Sequence, residues 1–144
     1  MPTQRPISFR LVYHLVNGDR EEPHVLIADY FARLDGPDPL TGLELVEPDI
    51  EFLLALPGSE ISGRGLDDLG SYISGRPAVG RKHRVLRSCR DHELEMVYGV
   101  VVEGPEEKPT GSFASVGVVS PHDRLARYQA FFHPTFSMFP EEAA

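Results

Sequence analysis

The residues best suited to chemistry begin with His92. It heads the run His-Glu-Leu-Glu-Met-Val-Tyr-Gly-Val over residues 92–100, whose apolar alternation predicts a β-strand. Strand alternation sets His92 on one face with Leu94, Met96, Tyr98 and Val100. An imidazole changes charge near neutral pH, so on an inward face His92 could act as acid or base at a pocket rim. The competing reading is a half-exposed histidine at a strand start. Asp91 and Glu93 leave on the opposite face, so no orienting carboxylate is evident.

His83, Arg84, Arg87 and Arg90 form a second, basic cluster on one segment. It reads either as an anion-binding wall or, preferred, as surface ion pairs with nearby acids. The six histidines (His14, His24, His83, His92, His122, His133) show no ligand-like spacing with a Cys, Asp or Glu partner. No metal is expected. Cys89 is the sole cysteine, and a lone strand cysteine is more often a small packing residue than a nucleophile. Neither a Gly-x-Ser-x-Gly elbow nor a phosphate-binding glycine motif is present, and no cofactor is expected.

These residues need a framework, and residues 111–134 supply its centre. Two β-rich runs flank a turn at Ser120-Pro121-His122-Asp123, describing a long antiparallel hairpin. Phe113, Ser115 and Gly117 share one face of its first strand; Tyr128, Ala130 and Phe132 share one face of its second. Upstream, residues 7–16 fit a strand better than a helix, and 17–19 form a turn. Residues 21–34 predict a helix with Leu26, Ile27, Tyr30, Phe31 and Leu34 as its apolar stripe. A short turn or helix over 40–46 stops at Pro48, a strand spans 49–56, and Ile61 precedes a glycine-rich link at 63–65. A second helix covers 66–74, and 75–80 is a loop. Strands follow at 82–90 and 92–103, with a polar loop at 104–110. Helices first and a long antiparallel sheet last describe an α+β domain.

The 144 residues suit one domain, divided as an arm (1–22), a core (23–136) and a surface-bound or frayed tail (137–144). A net charge of −8 argues against nucleic-acid binding and against docking on an anionic membrane. One cysteine, no membrane-span-length run and no basic-then-apolar leader point to a cytoplasmic protein.

Three stretches together resemble the nuclear transport factor 2-like superfamily, which includes ketosteroid isomerase, SnoaL-like polyketide cyclases and limonene epoxide hydrolase. They are Tyr30-Phe31-Ala32-Arg33-Leu34-Asp35, the segment 49–72 with Gly65, Leu69 and Tyr72, and the final strand from Asp123-Arg124-Leu125 to Phe132. The resemblance covers roughly residues 23–136. It implies a cone-shaped, curved, mixed but largely antiparallel sheet wrapped around N-terminal helices, a pocket between them, and a homodimer. It places the oxyanion tyrosine of ketosteroid isomerase on Tyr30, its base on Leu56 and its oxyanion acid on Ser115. Leucine cannot move a proton, so steroid isomerisation by that route is not expected. An Asp-Arg-Asp arrangement like that of limonene epoxide hydrolase cannot be placed on inward positions. Tyr30 could still polarise a carbonyl, or be an amphipathic core tyrosine.

The expected pocket is mostly apolar, lined by Tyr30, Phe52, Leu56, Tyr72, Met96, Tyr98, Phe113, Ser115, Tyr128 and Phe132, and suits a small apolar molecule, perhaps a carbonyl compound. Two functions follow as expectations: a SnoaL-like proton-transfer enzyme using Tyr30 and His92, or a noncatalytic ligand-binding or dimerisation module.

Overall fold

The computed structural model describes residues 23–143. The segments 7–16 and 17–19 lie outside the described residues, as does the arm 1–22. Helix α1 (Leu26–Leu34) buries Ile27, Tyr30, Phe31 and Leu34 along one stripe. It begins later than residue 21 because its N-terminus is held from across the chain. Val25 at the N-cap offers no side-chain acceptor. Instead the carboxylate of Glu95, itself fully buried, accepts the Leu26 N–H at 2.8 Å and the Ile27 N–H at 3.0 Å.

A 3-10 helix (Pro39–Leu45) follows, with proline in its first turn. Strand β1 (Val46–Leu56) buries Val46, Ile50, Phe52 and Leu54. It runs through Pro48, which was expected to precede it. The pairing register shifts between Val46 and Glu51, and a bulge of this kind tolerates a residue without an N–H. Strand β2 (Ser59–Arg64) replaces the expected glycine-rich link. It is an edge strand joined to β1 through the Pro57-Gly58 turn, where Gly58 takes φ +76. Its backbone ladder with β1, not an apolar face, holds it, so its sequence lacks a strand pattern. Helix α2 (Gly65–Ser74) buries Leu69 and Ile73. Asp68 within it accepts the Arg64 N–H at 2.9 Å.

Strands β3 (Lys82–Asp91), β4 (Leu94–Glu103), β5 (Lys108–Val119) and β6 (Leu125–His133) complete a six-stranded curved sheet, ordered β2-β1-β6-β5-β4-β3. Among the described strands only the β1–β6 pairing is parallel. The predicted hairpin is β5–β6, turned at Ser120 to Asp123 with the Asp123 N–H on the Ser120 carbonyl at 2.9 Å. Helices α1 and α2 and the 3-10 helix cover the concave face, with Phe31, Phe113, Tyr128, Val97 and Val101 in the shared core. At Gly117 a Cβ would come within 2.9 Å of Leu125 and 3.1 Å of Ile27, so the glycine lets α1 settle onto the sheet.

The tail lies on the convex face. The Met138 N–H donates to the Tyr98 hydroxyl at 2.7 Å, and the Phe139 ring meets Tyr98 edge-on at 5.8 Å. Arg87 stacks over Phe139 at 4.3 Å and pairs with Glu142 at 3.1 Å. A terminal helical turn, α3 (Pro140–Ala143), ends the described chain. Among the described residues no helix is long and apolar enough to cross a membrane.

Candidate functional site: a cavity with an Asp35–His83 pair

A cavity of about 820 Å³ opens between the concave sheet face and the two helices. Tyr30, Phe52, Leu56, Tyr72, Phe113, Ser115, Tyr128 and Phe132 all line it. Met96, Tyr98 and His92 do not. β4 turns its odd positions inward: Glu95, Val97 and Val101 are buried, while Met96 is 39% exposed. Tyr98 therefore faces outward and receives the tail. His92 is not in a strand. It sits at φ +57 in the short turn between β3 and β4, exposed, with its Nδ1 2.8 Å from the adjacent Asp91 carboxylate. A residue whose alternation reads equally well on either face gives no sign of which one is concave.

The histidine in the cavity is His83. Its placement depends on an irregularity in β3. Arg84 pairs with Val100 and Val85 with Gly99, but Arg87, not Leu86, pairs with Tyr98. This one-residue bulge puts His83 and Val85 inward before it and Ser88 and Arg90 inward after it. The basic cluster is thereby divided. His83 reaches the cavity, Arg90 reaches buried Glu95 at 3.4 Å, and Arg87 pairs with Glu142 outside.

Asp35, the C-cap of α1, holds His83 in two ways. Its carboxylate accepts the His83 backbone N–H at 2.7 Å and lies 3.0 Å from Nδ1. The ring stacks on Phe31 at 4.1 Å, with an interplanar angle of 1°, and meets Phe113 edge-on at 5.1 Å. Both side chains are mostly buried. The carboxylate also pairs with Arg76 at 3.4 Å. Burial pushes the Asp35 carboxyl up, but the His83 hydrogen bonds and the His83 and Arg76 charges outweigh it, so Asp35 stays below the usual aspartate value. An ionised acceptor favours the tautomer with the proton on Nδ1. The nitrogen left to meet a ligand is then Nε2.

Hydroxyl groups occupy another part of the wall. The Ser115 hydroxyl lies 3.2 Å from that of Tyr128, and the Tyr30 ring meets Tyr128 edge-on at 5.5 Å. Burial, reinforced by the neighbouring tyrosines, raises Tyr30 well above an ordinary tyrosine; burial likewise raises Tyr128. Both are neutral at physiological pH and able to donate a hydrogen bond. Arg81 and Glu103, 3.4 Å apart, also line the cavity. Among the described residues no group of three His, Cys, Asp or Glu side chains could hold a metal ion.

Asp35 was visible in the sequence only as part of a helix ending. Arg76, Arg81 and Glu103 carried no sequence signal.

The topology of this sheet and its helix-covered concave face decide the comparison with known structures. The fold is nuclear transport factor 2-like. The chain superposes on a SnoaL-like family protein from Agrobacterium tumefaciens with a TM-score of 0.63 at 11% identity, over 75% of this chain and 94% of the other. A nuclear transport factor 2-like protein of unknown function from Burkholderia pseudomallei gives 0.62 at 15% identity, over 75% and 88%. A protein of ketosteroid isomerase-like fold from Catenulispora acidiphila, solved with trimethylamine, gives 0.62 at 13%, over 82% and 88%. No family model and no curated protein matches the sequence.

Proposed function

We propose that this nuclear transport factor 2-like domain is a proton-transfer enzyme of the isomerase or cyclase type, acting on a small apolar carbonyl compound. The carrying observation is His83 in the cavity wall, held from behind by the Asp35 carboxylate. In this reading Nε2 of His83 removes a proton from the carbon next to the carbonyl. The C–H electron pair moves into the C–C bond as the carbonyl π pair moves onto oxygen. Neutral Tyr30 donates a hydrogen bond to that oxygen. The imidazolium, stabilised by ionised Asp35, then returns the proton to a different carbon or to the oxygen. His83 takes the role first given to His92, and no carboxylate is needed at Leu56.

Deuterium wash-in tests this. Cyclic enones and 1,3-diketones are incubated with the protein in D₂O and exchange is followed by mass spectrometry. Exchange above buffer is expected for the wild type, falling about 10²- to 10⁴-fold in His83→Gln. Ligands that bind without exchange would replace this reading with that of a noncatalytic binding module, and exchange untouched by His83→Gln would take the base role away from His83.

A further inference from the structure

We propose that Arg76 is a catalytic residue of this cavity, its guanidinium donating to the substrate oxygen that becomes negative when His83 takes a proton. This rests on the proton-transfer reading above, and it assigns the charge-stabilising role to a residue on the α2–β3 connection.

The first support is incomplete hydrogen bonding. Arg76 lines the cavity, and its side chain is only 10% exposed. A guanidinium carries five N–H donors. Arg76 makes two hydrogen bonds among the described residues, both at 3.4 Å: Nη1 to the Leu34 carbonyl and Nη2 to Asp35 Oδ1. Its other donors have no acceptor among the described residues and are not sealed in the core, so they are left to meet an oxygen bound in the cavity that Arg76 lines.

The second support is charge. Asp35 is shared, and its shortest contacts go to His83 at 2.7 and 3.0 Å, so Arg76 is only partly neutralised. The cavity's other arginine differs: Arg81 directs both Nε and Nη2 to Glu103 and is 27% exposed. Arg76 also acts on the hydroxyl wall, where its charge favours the ionised forms of both Tyr30 and Tyr128. It stands where it meets both the His83 side and the tyrosine side of the cavity. Negative charge developing on a bound oxygen between them would fall within its field.

The substrate class narrows accordingly. Its acidic carbon and carbonyl oxygen must sit close together, as in a ketone or 1,3-diketone, so that His83 meets the C–H while Arg76 and Tyr30 meet the oxygen.

4-Nitrophenol provides a test that needs no turnover. Its phenolate mimics an enolate, and its ionisation is read directly by absorbance. Titration across pH is expected to show the wild type binding the phenolate more tightly than the phenol. In Arg76→Met that preference should fall about 10- to 100-fold, while Arg76→Lys, which keeps the charge and protects against a simple folding defect, retains part of it. His83→Gln should keep the preference while losing deuterium exchange. A wild type that does not favour the phenolate, or a preference unchanged in both Arg76 variants, overturns the proposal. If exchange depends on His83 but phenolate binding ignores Arg76, only this inference fails. If phenolate binding depends on Arg76 but neither the wild type nor any variant exchanges, the proton-transfer reading fails and the catalytic role of Arg76 falls with it, leaving Arg76 as an anion-binding residue of the cavity.

Discussion

Asp35→Asn isolates the contact on which the site depends. The substitution keeps one carbonyl oxygen, which can still accept the His83 backbone N–H now held at 2.7 Å. It removes the negative charge facing Nδ1 at 3.0 Å and Arg76 at 3.4 Å. A hydrogen bond to a charged group contributes about 1.5–3 kcal/mol. Two good contacts set a ceiling of roughly 3–6 kcal/mol, and the retained amide oxygen reduces the loss to about 2–4 kcal/mol. The fold should survive, since domains of this kind have on the order of 5–15 kcal/mol to lose. The sign with pH follows from the depressed carboxyl. Between its folded and unfolded pKa values the unfolded chain binds more protons, so Asp35 stabilises the fold fully above the ordinary aspartate value of 3.8. That stability is lost as pH falls through the lower, folded value. Urea denaturation of wild type and variant at pH 5 and near pH 2.5 should therefore show a large difference at the first and a much smaller one at the second. An equal difference at both would mean that the charge of Asp35 does not hold this junction, and the reasoning about His83 would fall with it.

Two further perturbations probe the scaffold. Glu95→Ala removes the buried acceptor of the Leu26 and Ile27 N–H groups and the partner of Arg90, and should cost about 3–5 kcal/mol; Glu95→Gln should cost less, and unchanged amide protection at Leu26 and Ile27 in the alanine variant would contradict the clamp. Phe139→Ala removes the ring shared by Tyr98 and Arg87, so the tail should be cut faster in limited proteolysis at a stability cost of about 1–2 kcal/mol, whereas an unchanged cleavage rate would show that the tail is held elsewhere.

Most of the fold was legible where side chains of one period face one environment. The stripe of α1 and the β5–β6 hairpin both follow from such patterns; alternation grouped Phe113 with Ser115 and Tyr128 with Phe132, and the family resemblance turned those faces toward the pocket that they line. β2 was not legible, because an edge strand held by its backbone ladder needs no apolar alternation. β4 was read on the wrong face. Leu94, Met96, Tyr98 and Val100 alternate as cleanly as Val97 and Val101, and the convex face gains its own apolar cover from the tail. The site pair was the least legible. Asp35 and His83 are 48 positions apart, and the bulge that turns His83 inward leaves no mark in composition. The basic cluster was noticed, but a strand without a bulge would have set His83 and Arg87 on one face.

The same physical force acts on three acids in and behind the cavity wall with opposite results, a contrast that would serve the proposed proton transfer. Burial raises Tyr30, Tyr128 and Asp35 alike. For the tyrosines too little opposes it: the Ser115 hydroxyl bonded to Tyr128 and the Arg76 charge only partly offset the rise. They remain neutral donors. For Asp35 two N–H groups of His83 and the Arg76 charge reverse the sign, and the carboxylate stays ionised. An ionised Asp35 thus stands behind the imidazole and neutral hydroxyls stand elsewhere on the cavity wall, which Asp68 and Glu103 also line. An anion kept behind His83 orients its ring without itself lining the cavity, while uncharged donors favour a substrate oxygen most when it becomes negative. A well-packed apolar pair would hold this junction as well as the buried Asp35–His83–Arg76 group does, so the presence of these charges accords with the proposed proton transfer.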